Sequence, residues 1–310
     1  MKIAIYKDTF ANNRGADVAV KNLAAGLEER GHAVTLFDKT EFSSKVRGDY
    51  DVIVSTGTNE ILDLAQVEGL PPIVQQFHTA PASQFKWKRF LRNRRIRMAL
   101  KKVAAIQVLR EEYRAEVSRY GAPVSVIGNW SAYGVSAEAP DVKERKMVLY
   151  PAAFSKSKNH GLLLKSFSLL HDEFPDWTLE LYGNGKVPEV LPPNVKVMQF
   201  GDLRNAYGAC AFVAFPSADE GFGLVIAEAA SFGKCSVAVC DWIGTGAAGG
   251  AVVTAPTVSG YADGLRQLMR DEEARLRMGR AAQKYCADNF PRGKIMEKWE
   301  QLLLSAVARG

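Results

Sequence analysis

Residues 211–234 read Ala-Phe-Val-Ala-Phe-Pro-Ser-Ala-Asp-Glu-Gly-Phe-Gly-Leu-Val-Ile-Ala-Glu-Ala-Ala-Ser-Phe-Gly-Lys. The apolar run from Ala211 to Phe215, closed by Pro216-Ser217, has the unbroken hydrophobicity of a strand buried on both faces in a parallel sheet. Gly221 and Gly223 then mark a turn, and a helix follows. This order places a ligand at the carboxyl end of a strand, where open α/β sheets bind. Without a Cβ at Gly221 or Gly223, the amides around Phe222 and Leu224 can approach a phosphate closely. The helix points its unpaired N–H groups and positive dipole end at the same place. Two carboxylates bracket the turn. Glu228, about one and a half turns into the helix, can accept a pair of hydrogen bonds from a cis-diol such as ribose. Glu220 lies on the far side of the phosphate position, toward a sugar. Taken singly, Glu220 also reads as a charge favouring the helix dipole and Glu228 as a solvated helix residue.

Strand and helix patterns alternate outward from this stretch in both directions. Upstream, strands are predicted at Lys2–Tyr6, Ala33–Phe37, 51–55, 73–77, 104–108 and 124–127, with helices at 17–29 and 111–120. Residues 131–146 lack apolar periodicity and carry Gly, Pro and charge, so they read as a linker. The pattern then restarts, with strands at 147–150, 178–182, 195–200, 211–215, 236–240 and 251–254. Helices are predicted at 161–173, 261–270, 272–289 and 293–308. The organisation is α/β, with a first doubly wound domain over 1–130, a second over 147–290 and a terminal helix over 291–310.

A length of 310 residues suits two domains, and 47% hydrophobic with 24% charged residues is the composition of a soluble globular chain. The chain shows no signal peptide and no membrane span, which suggests a cytoplasmic protein. Cys210, Cys235, Cys240 and Cys286 sit among apolar neighbours without metal spacing and read as reduced thiols. No Asp-x-Asp or His/Cys ligand cluster marks a metal site, so no metal and no cofactor are expected.

The net charge of +6 is concentrated. No Asp or Glu occurs between residues 69 and 110, while Lys86, Lys88, Arg89, Arg92, Arg94, Arg95, Arg97, Lys101 and Lys102 cluster there with Trp87, Phe90 and Leu91. An amphipathic basic stretch of this kind calls for an anionic partner such as a membrane surface. A solvated helix with its aromatics in the core is the alternative. No nucleic-acid module accompanies the patch.

The Glu220-to-Glu228 spacing resembles the Glu-x7-Glu signature of retaining glycosyltransferases of the GT-B fold, most closely glycosyltransferase family 4. The resemblance implies two Rossmann-like domains facing a cleft, with the C-terminal helix crossing back to the first. It extends to other segments. Arg14-Gly15 occupies the place of the family's Gly-Gly loop, with Arg14 in place of the first glycine. His78 matches a histidine at the cleft mouth, implying a contact to the donor sugar. Lys158, in Ser155-Lys156-Ser157-Lys158, matches the lysine that meets the donor pyrophosphate. The arginine usual five residues earlier is Ala153 here, leaving Lys156 as the second cation. Gly183 and Gly185 match a glycine pair of the nucleotide domain, and Phe200-Gly201 the segment lining the base.

What the resemblance implies is hexose transfer from a nucleotide-diphosphate sugar to a glycan or lipid-linked acceptor, without a metal and with retention at the anomeric carbon. Glu220, His78 and Lys158 would act in catalysis. Gly15, Lys156, Gly183, Gly185, Phe200, Gly201, Gly221, Phe222, Gly223, Leu224 and Glu228 would hold the donor. Arg14, Lys86, Trp87, Lys88, Arg89 and Arg92 would face acceptor or membrane. A nucleotide-sugar epimerase, a phosphorylase and a non-catalytic nucleotide-sugar or anionic-glycan binding protein remain alternatives.

Overall fold

The computed structural model describes residues 1–10, 15–85, 89–137, 141–199 and 201–309. In chain order, the first elements are β1 (Lys2–Tyr6), α1 (Gly15–Glu29), β2 (Ala33–Phe37), α2 (Phe42–Lys45), β3 (Val52–Ser55) and α3 (Thr58–Leu64). Next come β4 (Ile73–Gln76), α4 (Phe90–Leu100), β5 (Ala105–Val108), α5 (Glu112–Ser118) and β6 (Val124–Val126). The chain continues with β7 (Met147–Pro151), α6 (His160–Ser168), β8 (Thr178–Tyr182), β9 (Val195–Met198), α7 (Arg204–Ala209) and β10 (Phe212–Phe215). It closes with α8 (Leu224–Ser231), β11 (Ser236–Ala238), β12 (Ala251–Val253), α9 (Val258–Arg270), α10 (Glu272–Asn289) and α11 (Arg292–Val307).

Two compact units result. One comprises Met1–Asn129 with Arg292–Gly310, the other Trp130–Pro291. In the first unit six parallel strands run in the order β2-β1-β3-β4-β5-β6. Every residue of β3 and β5 is buried, the pattern of strands covered by helices on both faces. Ile61, Ile96, Leu100, Ile106, Val108 and Val117 share one core cluster on the face covered by α3, α4 and α5. On α11, Ile295, Met296, Trp299, Leu302, Leu303 and Ala306 form a buried stripe at helical spacing. Gly26 of α1 lets the Met296 side chain approach: a Cβ there would stand 2.7 Å from its sulfur.

In the second unit the order is β12-β11-β10-β7-β8-β9, again all parallel. Residues 131–137, part of the stretch that composition reads as a linker, pack on this unit. The Tyr133 ring meets Tyr207 and Phe232 edge-on, and the Ser231 hydroxyl donates to the Gly134 carbonyl at 2.6 Å. The helix predicted to reach residue 173 ends at Ser168, where the chain tightens and the Leu170 amide bonds the Phe167 carbonyl.

Both sheets are wound outward from their first strand in two directions. The strand order therefore reverses between β7 and β10 in the second unit and between β1 and β3 in the first. Loops leaving neighbouring strands at such a reversal part from each other and open a crevice at the carboxyl ends.

Candidate functional site

In the second unit the crevice lies between the loop after β7 and the loop after β10, the segment with the two glutamates. β10 is wholly buried and delivers Ser217, also wholly buried, to its carboxyl end. Gly223 adopts φ +102°, a conformation that L side chains rarely take, and stands at the start of α8 with no side-chain cap on that end. Phe222 is buried edge-on against Phe290, which anchors the turn. The result is a helix N-terminus whose first amides have no side-chain cap.

Two loops are stitched together here. The Ala218 amide bonds the Ser157 carbonyl at 2.9 Å, and the Asn159 side-chain amide bonds the Pro216 carbonyl at 3.3 Å. The Tyr150 hydroxyl donates to the Lys158 carbonyl at 2.6 Å and lies 3.1 Å from the Ser217 hydroxyl. Asn159 takes φ +54°, alone among described non-glycine residues in the left-handed region, which turns the chain from the Lys156–Lys158 3-10 turn into α6. These contacts bring Lys158 to Glu220, and the ammonium donates to Oε1 of that carboxylate. Lys156 is exposed.

Glu228 is half-buried, and its Oε2 accepts a hydrogen bond from the Tyr207 hydroxyl at 2.7 Å. Burial pushes its carboxyl up to about 7, a rise the Tyr207 hydrogen bond opposes. Tyr207 is fully buried and stacked on Phe232 at 5.4 Å, so the phenol is a fixed donor. The solvated-helix reading of Glu228 is thereby replaced. The carboxyl is held inside the unit, poised near neutrality.

Gly183 and Gly185 border the loop after β7. A Cβ on Gly183 would stand 2.0 Å from the Ala152 carbonyl oxygen, and Gly185, at φ +120°, pairs as an isolated bridge with Phe154. Their immediate role is to let two backbone segments meet. Gly201 is exposed with open space around it. Phe200 lies outside the described residues.

The first unit places a second group at its own strand reversal. Lys7, just past β1, ion-pairs with Asp17 in the first turn of α1 at 3.2 Å, both side chains being largely buried. The Asp8 amide donates to the buried Glu60 carboxylate of α3 at 2.9 Å. His78, two residues past β4, has its Nε2 buried without a partner among the described residues. Burial first, and then the Lys7 cation, hold its imidazole neutral, down to about 3, against the opposing pull of Asp17. Sequence reading singled out His78 but missed Lys7 and Asp17, whose pairing across the turn leaves no local signature. Gly15 is the exposed first residue of α1. Arg14 lies outside the described residues.

The basic segment divides in two. Arg92 turns inward, donating to Asn59 Oδ1 at 2.7 Å and Thr58 Oγ1 at 3.0 Å, and is not an outward cation. Arg89, Arg94, Arg95, Arg97, Lys101 and Lys102 are exposed, together with Phe90 at 70%, Leu91 at 73% and Met98 at 56%. Ile96 takes the core position on α4. The sequence alternative that buries the aromatics therefore fails for Phe90. Lys86, Trp87 and Lys88 lie outside the described residues. Among the described residues no helix is long and apolar enough to cross a membrane.

Two parallel six-stranded Rossmann-like sheets, each with ligand-type loops at its strand reversal, define a GT-B fold. Sucrose-phosphate synthase from Thermosynechococcus elongatus aligns over 100% of both chains with a TM-score of 0.81 at 15% identity. Anabaena HepE, solved in complex with UDP and glucose, aligns over 98% of this chain and 100% of its own with a TM-score of 0.79 at 18% identity. Residues 136–285, within the second unit, match the family model for glycosyl transferases group 1. An uncharacterized glycosyltransferase of Haemophilus influenzae is 26% identical over 176 residues, 52% of this chain. The match spans about half of that relative's length, 49%.

Proposed function

We propose that this chain is a retaining, metal-independent hexosyltransferase that takes its sugar from a nucleotide-diphosphate sugar and passes it to a glycan or lipid-linked acceptor. The observation that carries the reading is the pair of glutamates around the uncapped start of α8, with Lys158 drawn to Glu220. Glu228, as the carboxylate, takes the ribose diol. The α8 amides and Lys158 take the diphosphate, and Glu220 takes a sugar hydroxyl. The UDP bound by HepE makes a uridine nucleotide the first donor to try.

In this reaction the bond between the anomeric carbon and the diphosphate oxygen breaks, and a bond from that carbon to the acceptor oxygen forms. The acceptor's proton passes to the departing diphosphate. Charge grows on the diphosphate in the transition state, so Lys158 and the helix amides stabilise that state more than the ground state. Both glutamates are occupied with binding, which favours a front-face displacement over a covalent glycosyl enzyme with two working carboxylates. His78, uncharged, offers Nε2 as a hydrogen-bonding partner to a hydroxyl. The stereochemical test is proton NMR of the first product. An α-linked donor giving an α-linked product supports the reading, and a β-linked product overturns it.

The acceptor side follows from α4. Its exposed cations, interleaved with Phe90, Leu91 and Met98, suit an anionic bilayer surface, which points to a peripheral enzyme at the cytoplasmic membrane face. Ala153, small where the resemblance implies arginine, favours a second reading, a nucleotide-sugar binding protein without turnover. Donor binding without nucleotide release in any acceptor mixture would select it.

A further inference from the structure

The first unit also holds a pocket of about 360 Å³ that the proposed reaction does not use. It lies along β6, which ends its sheet, and beside one polar row of α11. Its volume is near the lower end of small-molecule sites, roughly 300–1,000 Å³. Three cations line it, Arg114, Lys298 and Arg309, and no lining residue is acidic.

These cations are not equally committed. Arg114 is bound to Glu111 at 2.5 Å and donates to the Val124 carbonyl at 2.7 Å, which commits it. Arg309 makes one long bond, 3.3 Å, to the Ala104 carbonyl. Lys298 has no hydrogen-bond or ion-pair partner among the described residues. With Gln301 and Ser305 it recurs at helical spacing along α11, so that row of the helix offers donors to the pocket.

The strand adds backbone. The Pro123 carbonyl accepts from Ile106 and the Ile127 amide donates to Val108, so Ser125 shares the inward-bonding phase of the parallel ladder. Val124 and Val126 then present their amides and carbonyls away from β5. Arg114 takes the Val124 carbonyl, which leaves the Val124 and Val126 amides as outward donors at the pocket wall, with the Val126 carbonyl as an outward acceptor.

From this juxtaposition of outward edge amides with Lys298 and Arg309, two cations that pair with no carboxylate among the described residues, we propose that the β6–α11 pocket binds a phosphoryl group carried on a monosaccharide-sized body. Separate cations and amides suit an anion with several acceptor oxygens, while Ser125, Gln301 and Ser305 match hydroxyls. The site shares no residue with the loops assigned to the donor, so it goes beyond the proposed transfer reaction. It serves as an effector site for a free sugar phosphate, or as an anchor for one carried on a lipid.

Calorimetry on the full chain at low salt tests it with glucose 6-phosphate, inorganic phosphate and glucose. Glucose 6-phosphate is expected to bind, inorganic phosphate more weakly, and glucose not at all. Lys298→Glu with Arg309→Glu should weaken the sugar phosphate about tenfold or more, and Lys298→Gln by less, as for lost charge-assisted bonds. Both side chains are exposed, so the fold tolerates the changes. Loss of binding in the variants with vesicles carrying undecaprenyl phosphate glucose as well would identify the anchor; loss with the free sugar phosphate alone would identify the effector. No binding by the wild type, equal affinity in the double variant, or equal affinity for phosphate and sugar phosphate overturns the proposal.

Discussion

The Tyr207 hydroxyl donates to Glu228 Oε2 at 2.7 Å, a bond between two side chains twenty-one residues apart that fixes the carboxyl of a half-buried residue in the second turn of α8. Desolvation raises this group from the usual 4.5 to about 7, and Tyr207 limits the rise. A buried acid raised in the native state binds protons there that the unfolded chain has already lost. Its contribution to stability is thus complete below pH 4.5 and is lost as pH rises through 7. The difference in unfolding free energy between wild type and Glu228→Gln should change by about 3 kcal/mol across that window, measured by urea denaturation.

The same titration governs the ligand. Only the carboxylate accepts two hydrogen bonds from a diol, so affinity for a nucleoside diphosphate should fall about tenfold per pH unit below 7 and level off above it. Calorimetry at pH 6 in buffers of different ionisation heat should register about one proton released on binding. Tyr207→Phe should move the midpoint upward and cost about 1 kcal/mol of stability. A midpoint that stays put would separate Glu228 from nucleotide binding.

Glu228→Ala should weaken nucleoside diphosphate by about 1.5–3 kcal/mol. Glu220→Ala should leave that affinity nearly intact and lower kcat by about 10- to 150-fold, the kinetic equivalent of one charged hydrogen bond. Steady-state kinetics beside calorimetry distinguishes the two roles, and the reversed pattern would exchange them.

Gly183→Ala is expected to destabilise the second unit by about 1–3 kcal/mol or more, because the new methyl meets a backbone carbonyl and no side chain can give way. The loss should show in thermal unfolding without any ligand. An unchanged Tm would mean that the loop after β7 is free to move and that its junction with β8 does not hold Lys158 in place.

Much of the fold was legible because strands buried on both faces carry continuous apolar runs. Val52-Ile53-Val54 and Phe212-Val213-Ala214-Phe215 announce themselves whatever lies elsewhere in the chain. Short helices did not. α3 and α7 have six or seven residues and too few apolar positions to set a period, and α4 is masked by its own arginines. At the site, Gly221 to Glu228 was legible because the motif is contiguous. The burial of Glu228 was hidden in Tyr207, the restraint of Lys158 in the left-handed turn at Asn159, and the surroundings of His78 in the Lys7–Asp17 pair. Each of those depends on a partner that only the fold supplies.

The outward face of α4 predicts sedimentation with vesicles containing anionic lipid and none with neutral vesicles. Each suitably placed Lys or Arg contributes about 1 kcal/mol near an anionic surface. Leu91→Glu, on the exposed stripe shared with Met98, should reduce attachment while leaving transfer to a soluble acceptor unchanged. Equal binding to both vesicle types would remove the electrostatic account of this face.

The central claim is transfer from a nucleotide-diphosphate sugar held by the second unit. Its most direct measurement is release of nucleoside diphosphate from a panel of uridine, guanosine, adenosine and thymidine diphosphate sugars, with and without glycan acceptors and with a chelator present. The account predicts one preferred donor, acceptor-dependent release that the chelator leaves unchanged, and release slowed about 10- to 150-fold in Glu220→Ala. Release that is equally rapid in Glu220→Ala and Lys158→Ala, or that ceases when divalent ions are chelated, would contradict it.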